Sequence, residues 1–244
     1  MNVSKVLVSI GLFIGLLSAG CGAAQGGDQP APASWSGDVP VGMYFMSRYI
    51  SGSGLEKSCW YWAPDGTVYE GLMTGFSDQD LADHPGRKGK ARAEGGQVVI
   101  DWGKGGPTKS PVEKDKSGFM FDMGSFTPVT PIADPASVAG SYEGGESLVH
   151  GGNSVGVGKT LDLKSDGTFA RESAAYVSGK GDGTKLSGGA SSAGAGKWSV
   201  AGWTMTLDDG SGKPSRLIAF PYDDPDAKAH PAHLYVGGTL YKHR

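Results

Sequence analysis

Glycine sets the terms on which this chain folds. Forty-two of its 244 residues are glycine, spread through the body of the chain rather than gathered in one tail. Each glycine inside a helix costs roughly 1 kcal/mol relative to alanine. No part of the body shows a sustained helical period, and only residues 76–83 have room for a turn or two. Helical bundles, coiled coils and doubly wound α/β enzymes are therefore poor fits. A net charge of −3 gives no global basis for binding nucleic acid.

The body of the chain repeats. Gly42-Met43-Tyr44 corresponds to Gly140-Ser141-Tyr142, and the run from Trp60 to Val68 lies without gaps over Leu161 to Phe169. Gly89 to Gly105 lies over Gly196 to Gly212. Met120-Phe121 before Gly124-Ser125-Phe126 lies over Leu234-Tyr235 before Gly238-Thr239-Leu240. Each block has strand character. Asp65-Gly66 and Asp166-Gly167 are hairpin turn signals, and Leu161, Leu163, Trp198, Val200, Met205 and Leu207 alternate with polar residues. These are half-buried antiparallel strands joined by glycine turns.

The order G-x-Y, L-x-L-x-x-D-G-T-F, G-K-W-x-V-x-G, M-x-L and a final L-Y-V-G-G resembles small lipocalin-like β-barrel domains of bacterial envelope lipoproteins. The resemblance implies a barrel-like meander and no particular chemistry. The expected fold is all-β: two tandem antiparallel β-meander or small-barrel repeats, at 39–131 and 136–244. One larger sheet shared by both repeats is the alternative.

The N-terminus reads as an export signal. Lys5 supplies a positive charge, residues 6–17 form an apolar run too short to span a bilayer comfortably, and Ser18-Ala19-Gly20-Cys21 follows. The last four residues resemble a lipoprotein lipobox, with Ser18 where leucine is usual. The resemblance implies cleavage after residue 20 and diacylation of Cys21, and two acyl chains anchor stably. Gly22 rather than aspartate after the cysteine implies, by the sorting logic of such lipoproteins in a Gram-negative cell, the outer membrane. Residues 21–38 read as the lipidated cysteine and a flexible tether. With Cys21 acylated, Cys59 has no disulfide partner within the chain.

Four segments carry candidate chemistry. Gly152-Asn153-Ser154-Val155-Gly156 matches the nucleophile elbow G-x-S-x-G, but one such match is expected by chance in so glycine- and serine-rich a chain, and no helix follows. Residues 153–160 nearly match a phosphate-binding loop, again without a helix. Asp223, Asp224 and Asp226 with His230 and His233 offer carboxylate and imidazole ligands suited to zinc or copper, or a solvated hairpin loop. Arg87, Lys88, Lys90 and Arg92 form a basic patch for an anionic lipid or acidic glycan, or the solvated lip of a strand.

The leading expectation is a non-enzymatic, membrane-anchored lipoprotein without cofactor, serving as an envelope interaction or ligand-binding module. Its partners would be the membrane, through the acyl chains, and an envelope protein, lipid or glycan. A metal-binding or metal-sensing lipoprotein and a hydrolase using Ser154 or the 223–233 loop are the alternatives. Trp60 and Trp62 fall two apart and lie over Leu161 and Leu163, so they read as core. Ala91 and Ala93 in the facing hairpin stand where the second repeat has Trp198 and Val200, so small residues there compensate the volume of the tryptophans. Cys59 and Tyr61 then face outward, toward the other repeat. Cys21→Ser should abolish incorporation of a clickable fatty acid; equal labelling of variant and wild type would refute the anchor.

Overall fold

A computed structural model describes residues 30–51, 54–150, 153–181, 184–222 and 230–244. Cys21 lies outside the described residues. The first sheet contains β1 (Ser34–Ser36), β2 (Val39–Ile50), β3 (Gly54–Trp62), β4 (Thr67–Glu70), β5 (Lys88–Glu94), β6 (Gln97–Asp101), β7 (Pro107–Pro111), β8 (Glu113–Lys114), β9 (Phe119–Phe121) and β10 (Gly124–Pro128). Its order is β7-β6-β5-β4-β3-β2-β10-β9-β8. Its two ends, β7 and β8, are separated by Val112 alone, so one chain segment pairs with β6 on one side and β9 on the other. The sheet is thereby nearly closed.

The second sheet contains β11 (Gly140–His150), β12 (Asn153–Leu163), β13 (Thr168–Gly181), β14 (Thr184–Ala201), β15 (Thr204–Asp208), β16 (Ser215–Pro221), β17 (His233–Val236) and β18 (Thr239–His243). It closes into a barrel in chain order. Two tandem small barrels result, and not one shared sheet. The single α-helix among the described residues, α1 (Asp78–Ala82), starts on a Ser77–Asp80 capping box.

Equivalent turns bond identically. Asp65 accepts from the Thr67 N–H at 2.8 Å and Asp166 from the Thr168 N–H at 2.9 Å. Gly66 and Gly167 take φ of 80° and 79°, which glycine adopts without steric cost. Their carbonyls accept from Ala91 and Trp198, each at 2.8 Å. The fourth block departs from the sequence reading. Its hairpins turn at Asp122-Met123 and Gly237-Gly238, all four residues at positive φ. Phe119, Phe121 and Phe126 are therefore equivalent to Leu234, Val236 and Tyr241, one residue on from the glycine-to-glycine match. Asp122 and Met123 hold a conformation normally given to glycine, which is why the glycines mislead.

Trp60 and Trp62 are 2% and 1% exposed, stacked at 6.1 Å among Tyr44, Phe119, Phe121 and Phe126. Ala91 packs against this cluster, whereas Ala93 is exposed. The volume exchange with the second repeat thus holds at Ala91 and Trp198 and fails at Ala93. The second core gathers Tyr142, Leu161, Leu163, Phe169, Trp198, Met205 and Leu234.

A third cluster joins the barrels. Met43, Phe45, Cys59, Tyr61 and Tyr69 pack against Trp203, Ile218, Phe220 and Tyr235, with the Phe45 ring 5.8 Å from Tyr235 and 6.3 Å from Phe220. The connection between sheets is pinned too, since Ile132 donates to the Gly202 carbonyl at 3.0 Å. Part of the expected tether is ordered: β1 pairs with β2, and Trp35 meets Phe119 edge-on at 5.4 Å with Lys114 over its ring. An aromatic contact, not composition, decides that segment.

Trp62→Ala should cost about 3–5 kcal/mol, read as a large fall in melting temperature by circular dichroism. Trp35→Ala, at a 37% exposed site, should cost about 1 kcal/mol or less.

Candidate functional site

Strand alternation brings charge inside the second barrel. Leu161 and Leu163 of β12 and Phe169 of β13 face the core, so Lys159 and Arg171, each two residues away, face the same interior nearer its mouth. Lys159 pairs with Ser173 and Leu161 with Arg171, which sets the two cations diagonally across adjacent strands. They line a cavity of about 350 Å³ with Ser173, Ser192, Thr239 and Tyr241, above Leu161, Leu207, Leu217 and Val236. A crevice of about 250 Å³ shares Lys159 and Thr239 and reaches Met73 of the first unit. The Met73 carbonyl accepts from the Ile218 N–H at 2.9 Å, fixing that loop beside the mouth.

Lys159 donates to the Thr239 hydroxyl at 2.7 Å, while Thr239 is 6% exposed. Among the described residues, the carboxylate nearest Arg171 is Asp209, at 3.9 Å. Burial pushes the Tyr241 phenol up, opposed by the positive charge of Arg171. Two close approaches open the space. A Cβ at Gly194 would stand 3.2 Å from Arg171 Nε, and one at Gly144 3.0 Å from the Tyr241 ring.

The first barrel fills the same positions. Gly144, Lys159, Arg171 and Gly194 are equivalent to Met46, Ser58, Glu70 and Arg87. Met46 is 1% exposed. Glu70 and Arg87 form an ion pair, with Arg87 4.4 Å above the Trp102 ring. Arg48 closes that mouth further through Glu56 at 2.7 Å and Asp122 at 3.3 Å. Where one barrel places a self-neutralising pair over packed aromatics, the other places Arg171 over a bare glycine.

The residues singled out from sequence lie elsewhere. Lys88, Lys90 and Arg92 share the outer face of β5 while Arg87, just before the strand, turns to the other face, and each has a partner: the Tyr69 ring, Asp65, Glu94 and Glu70 respectively. Asp223, Asp224 and Asp226 lie outside the described residues. His230 stacks on His243 at 5.3 Å and contacts the Ser137 carbonyl at 3.1 Å, while His233 pairs with Lys242 in the sheet. Among the described residues no three His, Cys, Asp or Glu side chains cluster as metal ligands would. Ser154 lies within β12, between Val149 and Ser178 in register, a strand position unlike the strand-to-helix turn of a nucleophile elbow. Cys59 is fully buried, which pushes its thiol pKa up.

Lys159 and Arg171 were missed as a pair. The signal was present in the alternation: a lysine two before Leu161 and an arginine two after Phe169 are charges in the core phase of their strands. Comparison with protein-family models, curated proteins and solved structures returns no match for this chain.

The patch supplies a pH prediction. The Lys90 ammonium and the Thr67 N–H hold Asp65 down at about 2, below the ordinary carboxylate value near 3.9. A depressed folded-state pKa contributes stability that is present above about pH 4 and lost as pH falls through about 2. Asp65→Asn should therefore flatten the acid limb of the stability curve between about pH 4 and 2, measured by urea unfolding, while an unchanged limb would refute it.

Proposed function

We propose that this chain is a bacterial lipoprotein, acylated at Cys21 and held at the outer membrane, that works without catalysis as a binding module. Lys5, the apolar run 6–17 and Ser18 to Cys21 support export and anchoring. On this reading the second barrel is the binding element and the first is its support. The observation that carries it is the contrast between equivalent mouths: Met46, Glu70 and Arg87 close one, whereas Gly144, Arg171 and Gly194 leave the other open. Two half-buried cations beside a single carboxylate at 3.9 Å are costly in a merely structural core, and an anionic ligand would offset that cost.

The test is retention. Protein purified from its native envelope should carry small molecules detectable by mass spectrometry. Ser173→Trp, which fills the cavity from an inward position, should lose them at least about tenfold while melting within a few degrees of wild type. Equal retention by both proteins, or none by wild type, would overturn the reading.

A further inference from the structure

We infer that the mouth of the second barrel selects a small carboxylic acid with a compact apolar tail, its carboxylate held between Lys159 and Arg171. This rests on the binding-module reading and names the ligand class that the site's chemistry fits.

Charge fixes the head group. Lys159 has the Thr239 hydroxyl as its polar partner, and among the described residues Arg171 has one carboxylate within 4 Å, that of Asp209 at 3.9 Å. Glu172 also borders the cavity but is exposed and alternates to the outer face of β13, so among the described residues the two inward cations stand against the Asp209 carboxylate alone and one positive charge is left. A monoanion balances it, whereas a phosphate dianion would overshoot beside Asp209. The spacing agrees: diagonal neighbours on paired strands stand ~7–8 Å apart, a gap that two long side chains bridge onto a single carboxylate. The planar guanidinium offers two parallel N–H donors to such a group. These cations face the barrel interior, so a flat anionic surface does not meet them as a ligand entering the mouth does.

The walls fix the rest. Leu161, Leu207, Leu217 and Val236 give the tail an apolar bed, and the hydroxyls of Thr239, Ser173 and Tyr241 stand at head-group level. Below, Phe169 and Trp198 are 2% and 9% exposed and fill the barrel, so a long chain cannot pass through. About 350 Å³ is at the small end of ligand cavities.

Calorimetric titration of the purified protein with octanoate, octan-1-ol and inorganic phosphate tests the assignment. Octanoate should bind with one-to-one stoichiometry, and octanol and phosphate at least about tenfold more weakly. Lys159→Met and Arg171→Met should each weaken octanoate about tenfold or more and leave octanol unchanged. Arg171→Lys should recover part of the loss, and unaltered thermal melts would show that the barrel is intact. Octanol binding as well as octanoate, phosphate binding more tightly, or indifference to both cation variants would overturn the assignment. If octanoate fails to bind while wild type, but not Ser173→Trp, retains envelope compounds, the carboxylate inference falls and the binding module stands. If neither octanoate nor any envelope compound is held, both fall.

Discussion

The packing of one barrel's outer face on the other's is the contact on which the rest of this structure depends. Phe45, Cys59, Tyr61 and Tyr69 alternate along β2, β3 and β4 with residues of the first core. Ile218, Phe220 and Tyr235 alternate on β16 and β17 with residues of the second. Those strands are thus buried on both faces and read as continuous apolar runs, as in Phe45-Met46 and Cys59-Trp60-Tyr61-Trp62. Burying an aromatic side chain contributes about 1.5–3 kcal/mol, so a dozen buried residues hold the barrels together far more firmly than the short connection could. Val129 and Ile132 of that connection join the packing, with Ile132 bridged to Gly202.

Within that frame the two barrels divide their roles through side-chain volume. The first is filled by aromatic rings down its axis, with Phe119 and Phe126 stacked at 4.7 Å and Trp60 meeting Trp102 edge-on at 5.8 Å. The second has leucines where the first has Trp60 and Trp62. It is packed at one end, where Tyr142 donates to the Val138 carbonyl at 3.0 Å, and opens at the other. Dense packing explains why both folds persist: total volume near the closed end is conserved by exchanges such as Ala91 for Trp198. At the mouth no such compensation follows the losses at Gly144 and Gly194.

Much of this was legible in the chain. The Asp-Gly turns, the alternating strands, the buried tryptophan pair and the outward Cys59 and Tyr61 follow from period-2 patterning and the repeat. The register of the last hairpin did not, because Asp122 and Met123 take positive φ without glycine and the Arg48–Asp122 ion pair that accompanies the turn joins residues far apart in sequence. The ordering of residues 34–36 was hidden for a similar reason: Trp35 contacts Phe119 and Lys114, both distant in the chain. Composition described the basic patch well but said nothing of Glu70, Asp65 and Glu94, which occupy three of its four cations. Lys159 and Arg171 were concealed because a charge in core phase ordinarily marks a strand end, and only barrel closure turns that strand end into a mouth.

The closure itself is uneven, and this sets how the mouth can respond. β18 pairs with β11 from Gly144 to Tyr142, and β15 pairs with β14 from Lys197 to Ala201. Beyond those residues β11 to β14 continue as a four-stranded wall whose bonds run only within the sheet. Lys159 and Arg171 stand where this wall leaves the ring. The apolar bed opposite includes Leu217 and Val236, on the two strands clamped by the inter-barrel cluster. Local stability follows the number of buried contacts, so the bed is the stiff side and the cation-bearing wall the compliant one. A rigid apolar surface fixes where a tail lies, while long basic side chains on a compliant wall adjust to where the head group then falls. Removing the first barrel would unclamp β16 and β17, loosening the bed first although no residue of the bed belongs to that barrel.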